Sequence, residues 1–203
     1  MVTTTVHLVR HGEVANPTGV LYGIAPGYHL SERGLDMAQT TADWLLARPE
    51  ADIVHLASSP LIRAQETARP LVRALGLEPV LDPRLIEAGN IFAGQVVTIP
   101  FLLRPSNLRR LYNPFRPSWG EPYALIAHRM RAAIIAARNA ARGHEAVVVT
   151  HQLPIWTARM DAEHHRFWHD PRRRQCALGS VTSLVFDGDR VAAVAYADPC
   201  QGL

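Results

Sequence analysis

Short apolar runs with the length of β-strands alternate along this chain with longer segments of helical periodicity. The runs lie at residues 6–9, 53–57, 146–150, 181–186 and 191–196. Because a chain that alternates strands with helices packs the helices onto both sides of one sheet, the pattern predicts an α/β fold. We expect a three-layer α/β/α sandwich with a mostly parallel central sheet.

The helical segments have recognisable ends. Ser31 is a suitable N-cap for a helix that runs to Leu46, and a second helix, 61–75, stops at Gly76. A third is predicted over 123–142, before Gly143, and a shorter one is expected to follow Pro154. We find no repeat and no linker, so we predict a single domain over residues 1–203.

The composition narrows the function. The chain has 203 residues and a net charge of +3, and all of its basic side chains are arginine, so any anion is held by planar, permanently charged groups. Its longest apolar helical stretch, 124–141, contains three arginines, which argues against a membrane span. The first residues lack the pattern of a secretory signal, and two cysteines far apart fit a reducing compartment, so we expect a cytoplasmic protein.

Residues 91–122 break the alternation. This segment has no clean period and is dense in proline, aromatic residues and arginine. We predict a long loop over the surface, of the kind that often serves as a lid or binding segment.

Polar side chains recur where the predicted strands end. Arg10 and His11 follow the first strand, Arg63 lies in the first turn of the helix after the second, and His151 follows the third. Glu87 lies in a turn after the short run Val80–Leu81. Since ligands bind beyond the carboxyl ends of parallel strands, we expect these five side chains to form one cluster.

Four segments carry a family resemblance: "LVRHGE", "ASSPLIRAQETA", "LIEAG" and "VVVTHQ". In this order they resemble the histidine phosphatase superfamily, which includes the cofactor-dependent phosphoglycerate mutases. The resemblance runs from residue 6 to about residue 153 and is weakest across 91–122. It implies a phosphoglycerate mutase-like fold.

The resemblance also implies roles. His11 would attack a phosphoryl group and form a phosphohistidine, for which its imidazole must be neutral. Arg10, Arg63 and His151 would hold the phosphate oxygens, and their charges would favour neutral His11. Glu87 would protonate the leaving oxygen, unless it is a surface carboxylate paired with Arg84. No metal or other cofactor is expected, because the arginines neutralise the phosphate charge.

Three positions need separate comment. Asn16 is a candidate phosphate contact, but it lies one residue nearer the histidine than in related sequences and alternatively forms a turn with Pro17. Gly23 restores the family spacing and is a second candidate for a phosphate contact. Gln152 stands where the family most often has glycine, and it either narrows the pocket or adds a polar contact to the substrate.

A phosphatase and a mutase differ in the acceptor of the phosphoryl group, which is water in a phosphatase and a phosphorylated acid in a mutase. Phosphoglycerate mutases usually follow the glutamate with Arg and Tyr and use a lysine for the substrate carboxylate, whereas Glu87 is followed by Ala88 and Gly89 and the chain has no lysine. We therefore predict a phosphatase for a small phosphomonoester, with phosphoryl transfer of the mutase type as the alternative.

The loop 91–122 offers cationic and aromatic side chains to a substrate. Its candidate substrate contacts are Arg104, Arg109, Arg110 and Arg116. Together with the aromatic residues between them they suit a bulky or apolar organic group. The aromatic residues are equally consistent with packing of the loop onto the domain or with a homodimer contact.

Other classes of function fit the sequence less well. A phosphate-binding regulatory module would not need the full catalytic set, and a metal-dependent hydrolase built on His11, His144 and His151 lacks matching carboxylates. In "HHRFWH", His165 and His169 have helical spacing, but a solvated or aromatic-packed helix end fits better than a metal site. The run 172–174 is read as a solvated arginine loop rather than a nucleic-acid contact.

Overall fold

Six strands form one sheet in the computed structural model, which describes residues 2–113 and 117–203. The strands are β1 (Thr3–Arg10), β2 (Ile53–Ser58), β3 (Val80–Leu81), β4 (Glu145–Thr150), β5 (Val181–Asp187) and β6 (Arg190–Ala197). Their order is β3-β2-β4-β1-β5-β6, and each predicted run lies within an observed strand. The first four in this order are mutually parallel, which confirms the mostly parallel sheet. β5 is antiparallel to β1. β6 is antiparallel to β5, as expected for two strands that only two residues connect.

The helices match the sequence pattern with small shifts. They are α1 (Glu32–Leu46), α2 (Ile62–Leu75), α3 (Ile99–Leu102), α4 (Pro105–Leu108), α5 (Tyr123–Ala140) and α6 (Gln152–Ala162), with 3₁₀ turns at Pro83–Leu85 and Pro171–Arg173. Ser31 caps α1 by accepting a hydrogen bond from the Gly34 N–H, and Gly76 ends α2 at φ 67°.

Two helix ends differ from the prediction. α5 stops at Ala140, short of the predicted end, and α6 begins at Gln152 rather than after Pro154. The earlier start is possible because proline is tolerated in the first turn of a helix, where its missing N–H is not needed. None of the helices in the described part of the chain is long and apolar enough to cross a bilayer.

The sheet is covered on both faces, as the three-layer prediction requires. Successive side chains of β4 point to opposite faces and all are buried. Val148 belongs to the cluster that contains Ile126 of α5 and Ile155 of α6. Val147 belongs to the cluster on the other face, with Leu45 of α1 and residues of α2.

The long connection between β3 and α5 is closed at its base. The Ile91 N–H donates to the Trp119 carbonyl over 2.9 Å, and the Glu121 N–H donates to the Gly89 carbonyl over 3.0 Å. These bonds flank an isolated bridge between Asn90 and Gly120. The short helices α3 and α4 lie within the segment, where the sequence had suggested no regular structure.

A close backbone contact explains the glycine after His11. A Cβ atom on Gly12 would lie 2.4 Å from the Gly34 carbonyl oxygen, and one on Gly34 would lie 2.0 Å from the Glu13 carbonyl oxygen. The Gly12 N–H also donates to the Thr67 hydroxyl over 3.1 Å. The two glycines therefore let the loop after β1 lie directly on the first turn of α1.

We expect Gly34→Ala to lower the free energy of unfolding by about 1–3 kcal/mol, because the added Cβ must displace backbone. Urea unfolding followed by circular dichroism measures the change. Gly89→Ala is the matched control, since a Cβ there would meet nothing within 4 Å. Equal stability of the two variants would contradict the proposed close packing.

Candidate active site

A cavity of about 270 Å³ opens beyond the carboxyl ends of β1 and β4. The polar side chains in its wall are Arg10, His11, Tyr22, Asn90, Glu87, Glu121, Tyr123, Gln152 and Arg174, and Trp119 adds an indole. Three of the five side chains predicted to cluster therefore line the cavity directly. The other two, Arg63 and His151, contact the residues that line it, as described below.

His11 lies at the end of β1, where its N–H donates to the Thr150 carbonyl. Its side chain is buried, and its Nδ1 lies 2.8 Å from the Gly12 carbonyl oxygen. Because a carbonyl only accepts, Nδ1 carries the proton and Nε2 keeps its lone pair.

The His11 imidazole is neutral. Burial lowers its pKa to about 3, and the charges of Arg10 and Arg63 act in the same direction. The sequence suggested charge repulsion as the reason for neutrality, but the larger cause is burial.

Two guanidinium groups lie beside this ring. Arg10 Nη1 donates to the Cys176 carbonyl over 2.6 Å, and the fully buried Arg63 donates through Nη2 to the Gly23 carbonyl over 2.6 Å. The Arg63 guanidinium also lies 4.8 Å from the centre of the Tyr22 ring. Within residues 2–113 and 117–203, neither arginine has a carboxylate at ion-pair distance.

His151 completes the group as the N-cap residue of α6. Its ring centre lies 5.1 Å from that of His11, and its Nε2 lies 2.8 Å from the Ser59 hydroxyl oxygen. Burial holds its pKa well below the usual value, so this imidazole is also neutral.

Buried nitrogen atoms without a hydrogen-bond partner collect around His11. Among the described residues they include Arg10 Nε, Arg63 Nε and Nη1, and His151 Nδ1. An unsatisfied buried polar group costs about 1–3 kcal/mol, so four of them in one place call for a shared acceptor. A phosphoryl group, with several anionic oxygens, has the chemistry to satisfy them.

Glu87 follows the 3₁₀ turn Pro83–Leu85 and forms part of the cavity wall. Its Oε1 accepts a hydrogen bond from the Ala88 N–H over 2.8 Å, and burial raises its pKa. The alternative of a pair with Arg84 does not hold, because Arg84 binds Asp82 at 2.6 Å. A carboxyl with a raised pKa at this position can both give and take a proton.

Arg174 is a cavity residue that the sequence reading missed. The sequence predicts a solvated loop over 172–174, and Arg172 agrees with this, since its side chain is 89% exposed and pairs with Asp170. Arg174 is instead half-buried and lines the cavity. Its Nε lies 2.7 Å from His169 Nε2, and its Nη1 lies 3.4 Å from Gln152 Oε1. No local pattern marks it, because its orientation depends on the 3₁₀ turn before it.

The model of the histidine phosphatase superfamily, branch 1, matches residues 6–199. The chain belongs to this superfamily. A protein of Mycobacterium tuberculosis named only as uncharacterized is 52% identical over 198 residues, 97% of this chain and 96% of that protein. Phosphoserine phosphatase 1 of Hydrogenobacter thermophilus is 30% identical over 169 residues, 79% of this chain and 78% of that enzyme.

A solved structure with the same architecture supports the fold. A mutant phosphoserine phosphatase from Entamoeba histolytica in complex with phosphoserine aligns with a TM-score of 0.78 and 18% identity. The alignment covers 98% of this chain and 100% of that one. At this identity the likeness shows the shared architecture alone.

The remaining predicted site residues are divided between the cavity and the surface. Gly23 and Gln152 line the cavity of this histidine phosphatase superfamily member. Asn16 does not, and its side-chain amide donates to the Val20 carbonyl over 2.9 Å, as the turn interpretation expects. The Gln152 side-chain oxygen lies 3.4 Å from Arg174 Nη1, and a contact of Gln152 with the substrate stays a prediction.

The arginines of the loop are not where the prediction required them. Arg104 lies over the Phe101 ring at 5.6 Å, and Arg109 and Arg110 are exposed. None of these three described arginines lines the cavity, and Arg116 lies outside the described residues. The loop contributes Pro117 and Trp119 to the wall instead.

The histidines considered for metal binding are separated. His144 precedes β4 and lies 2.6 Å from Asp52, whereas His151 follows β4 at its opposite end. His165 and His169 are not neighbours on a helix, because α6 ends at Ala162. Across residues 2–113 and 117–203, no three or more His, Cys, Asp or Glu side chains are grouped to hold a metal ion.

Proposed function

We propose that this protein is a metal-independent phosphomonoester hydrolase that acts on a small organic phosphate through a phosphohistidine at His11. One observation carries the proposal: a neutral imidazole with its Nδ1 proton bound to the Gly12 carbonyl lies among buried, unsatisfied donors of Arg10, Arg63 and His151. The imidazole is a nucleophile with a free lone pair, and the unsatisfied donors can bind the phosphoryl oxygens.

In the first step, His11 Nε2 forms a bond to phosphorus while the bond from phosphorus to the ester oxygen breaks. Glu87 gives its carboxyl proton to that oxygen, so the alcohol leaves uncharged. Arg10 and Arg63 stabilise the negative charge on the transferring group, and His151 donates a hydrogen bond from its unsatisfied Nδ1.

In the second step, a water molecule attacks the phosphohistidine. Glu87, now a carboxylate, takes the proton of the water as the new oxygen–phosphorus bond forms. The bond between His11 Nε2 and phosphorus breaks, and inorganic phosphate leaves with His11 neutral again.

The residues beside Glu87 favour hydrolysis over mutase-type transfer. Ala88 and Gly89 line the cavity beside Glu87 and offer no charged side chain to a second phosphorylated acid. The cavity of about 270 Å³ favours a small substrate over the bulky one suggested by the loop composition. The two free cysteines fit a cytoplasmic enzyme.

Rapid-quench mass spectrometry tests the proposal. Mixed briefly with 4-nitrophenyl phosphate, the protein is expected to gain one acid-labile phosphoryl group on His11 and to release phosphate at a rate unaffected by chelator. His165→Asn removes an exposed histidine and is expected to keep both signals. Phosphate release that a chelator abolishes would refute the mechanism. Phosphate binding without any turnover would support the regulatory-module alternative instead.

A further inference from the structure

The cavity carries more positive charge than a phosphoryl group needs. Arg10 and Arg63 together balance a phosphomonoester, whose charge at neutral pH is close to −2. Arg174 is a third guanidinium at the same cavity and has no carboxylate at ion-pair distance in the described part of the chain. Glu121 also lines the cavity, but both of its oxygens accept from Arg129 at 2.9 Å.

Arg174 is held in place rather than free to move. His169 donates from Nδ1 to the Phe167 carbonyl over 2.6 Å, because a carbonyl only accepts. Its Nε2 therefore has a lone pair that accepts the Arg174 Nε–H. The His169 ring packs near Trp156 and Tyr123, with ring centres 5.6 and 5.7 Å away.

These contacts leave part of the guanidinium available. Nε is used by His169, and Nη1 makes a long contact with Gln152, while Nη2 has no hydrogen-bond partner among the described residues. A preorganised guanidinium loses little entropy on binding, and its planar nitrogens suit an anionic group with two oxygens. Arg172 and Arg173 next to it are exposed and do not line the cavity.

We propose that Arg174, fixed by His169 and Gln152 in the cavity wall, binds a second anionic group of the substrate. The preferred substrates are then small phosphomonoesters that also carry a carboxylate or a second phosphate. This inference rests on the proposed function, because it assumes that the first phosphoryl group occupies the His11 end of the cavity.

Competition against 4-nitrophenyl phosphate hydrolysis tests this inference even for compounds that are poor substrates. The competitors are glycerol 1-phosphate, 3-phosphoglycerate, which has a carboxylate in place of one hydroxymethyl group, and propane-1,3-diol bisphosphate. Of the two competitors that carry a second anionic group, we expect at least one to have an inhibition constant about 10- to 100-fold below that of glycerol 1-phosphate. The tighter of the two identifies the second group as carboxylate or phosphate.

Arg174→Met is expected to remove this preference while leaving inhibition by glycerol 1-phosphate and inorganic phosphate within about threefold of the original. Arg172→Met is the matched control and is expected to keep the preference. Arg174→Gln is a second variant, since its amide retains hydrogen bonding without the charge, and it is expected to lose the preference as well.

Three results would overturn the inference: no preference in the unmodified protein, a preference that survives in both Arg174 variants, or equal weakening of every competitor. A failure of the proposed function has a different signature. In that case 4-nitrophenyl phosphate is not hydrolysed at all, or its hydrolysis survives replacement of His11.

Discussion

Replacing His11 with asparagine is expected to lower kcat/KM for 4-nitrophenyl phosphate by about 10⁴-fold or more and to abolish the phosphoryl adduct. The loss is large because no other described side chain at the cavity combines a neutral imidazole with a free lone pair beside Arg10. Removal of a catalytic nucleophile commonly costs this much. Steady-state kinetics and the quenched mass measurement give the two readouts.

The control for this variant is phosphate binding. Arg10, Arg63 and His151 keep their unsatisfied donors when His11 is changed. We therefore expect His11→Asn to bind inorganic phosphate within about tenfold of the original affinity by calorimetry. Loss of binding together with loss of the folded-state circular dichroism would indicate a structural role, and retained turnover would rule out His11 as the nucleophile.

Glu87→Gln is expected to have the second largest effect, and the size should depend on the leaving group. For an alkyl phosphate, whose leaving oxygen needs a proton, we expect kcat to fall by about 10²–10⁴-fold. For 4-nitrophenyl phosphate the first step should survive, because nitrophenolate leaves without protonation. The second step still lacks its base, so phosphohistidine should accumulate and appear as a burst of nitrophenolate.

The pH profile gives an independent check on Glu87. Burial raises its pKa, so the protonated acid persists to higher pH than for an exposed glutamate. Turnover of an alkyl phosphate should fall as pH rises through this pKa, and the falling limb should vanish in Glu87→Gln. His11, with a pKa of about 3, should contribute no limb near neutral pH.

Glu163→Gln is the matched control for these measurements, because Glu163 pairs with Arg159 at the end of α6 and does not line the cavity. It should leave both the leaving-group dependence and the pH profile unchanged. An identical loss for alkyl and aryl phosphates in Glu87→Gln would assign Glu87 a role other than proton transfer.

Much of this architecture is readable from the sequence because the buried strands are nearly continuous apolar runs. β4 is the clearest example, since all six of its residues are buried between two helical layers. The position of Arg10, His11 and His151 was also predictable, because each of them ends or directly follows a strand in the parallel part of the sheet. Their approach in space follows from strand order alone.

The positions of Arg174 and of the described loop arginines, Arg104, Arg109 and Arg110, differ from the prediction because no strand or long helix fixes them. The side chain of Arg174 turns inward after the 3₁₀ turn Pro171–Arg173, and its partners His169 and Gln152 are 5 and 22 residues away. Arg104, by contrast, lies on a neighbouring aromatic ring of its own loop. Local composition cannot distinguish these two outcomes, since both segments place arginines after a proline or close to one.

The hydrogen bonds that join the two ends of the segment between Asn90 and Gly120 fix its base, so the length of the segment can change without displacing the strands. Closing a loop costs only about 0.6 kcal/mol more for each doubling of its length, so insertions beyond a fixed base are thermodynamically inexpensive. Such changes would reshape the wall around Trp119 without moving the strands that carry His11 and His151.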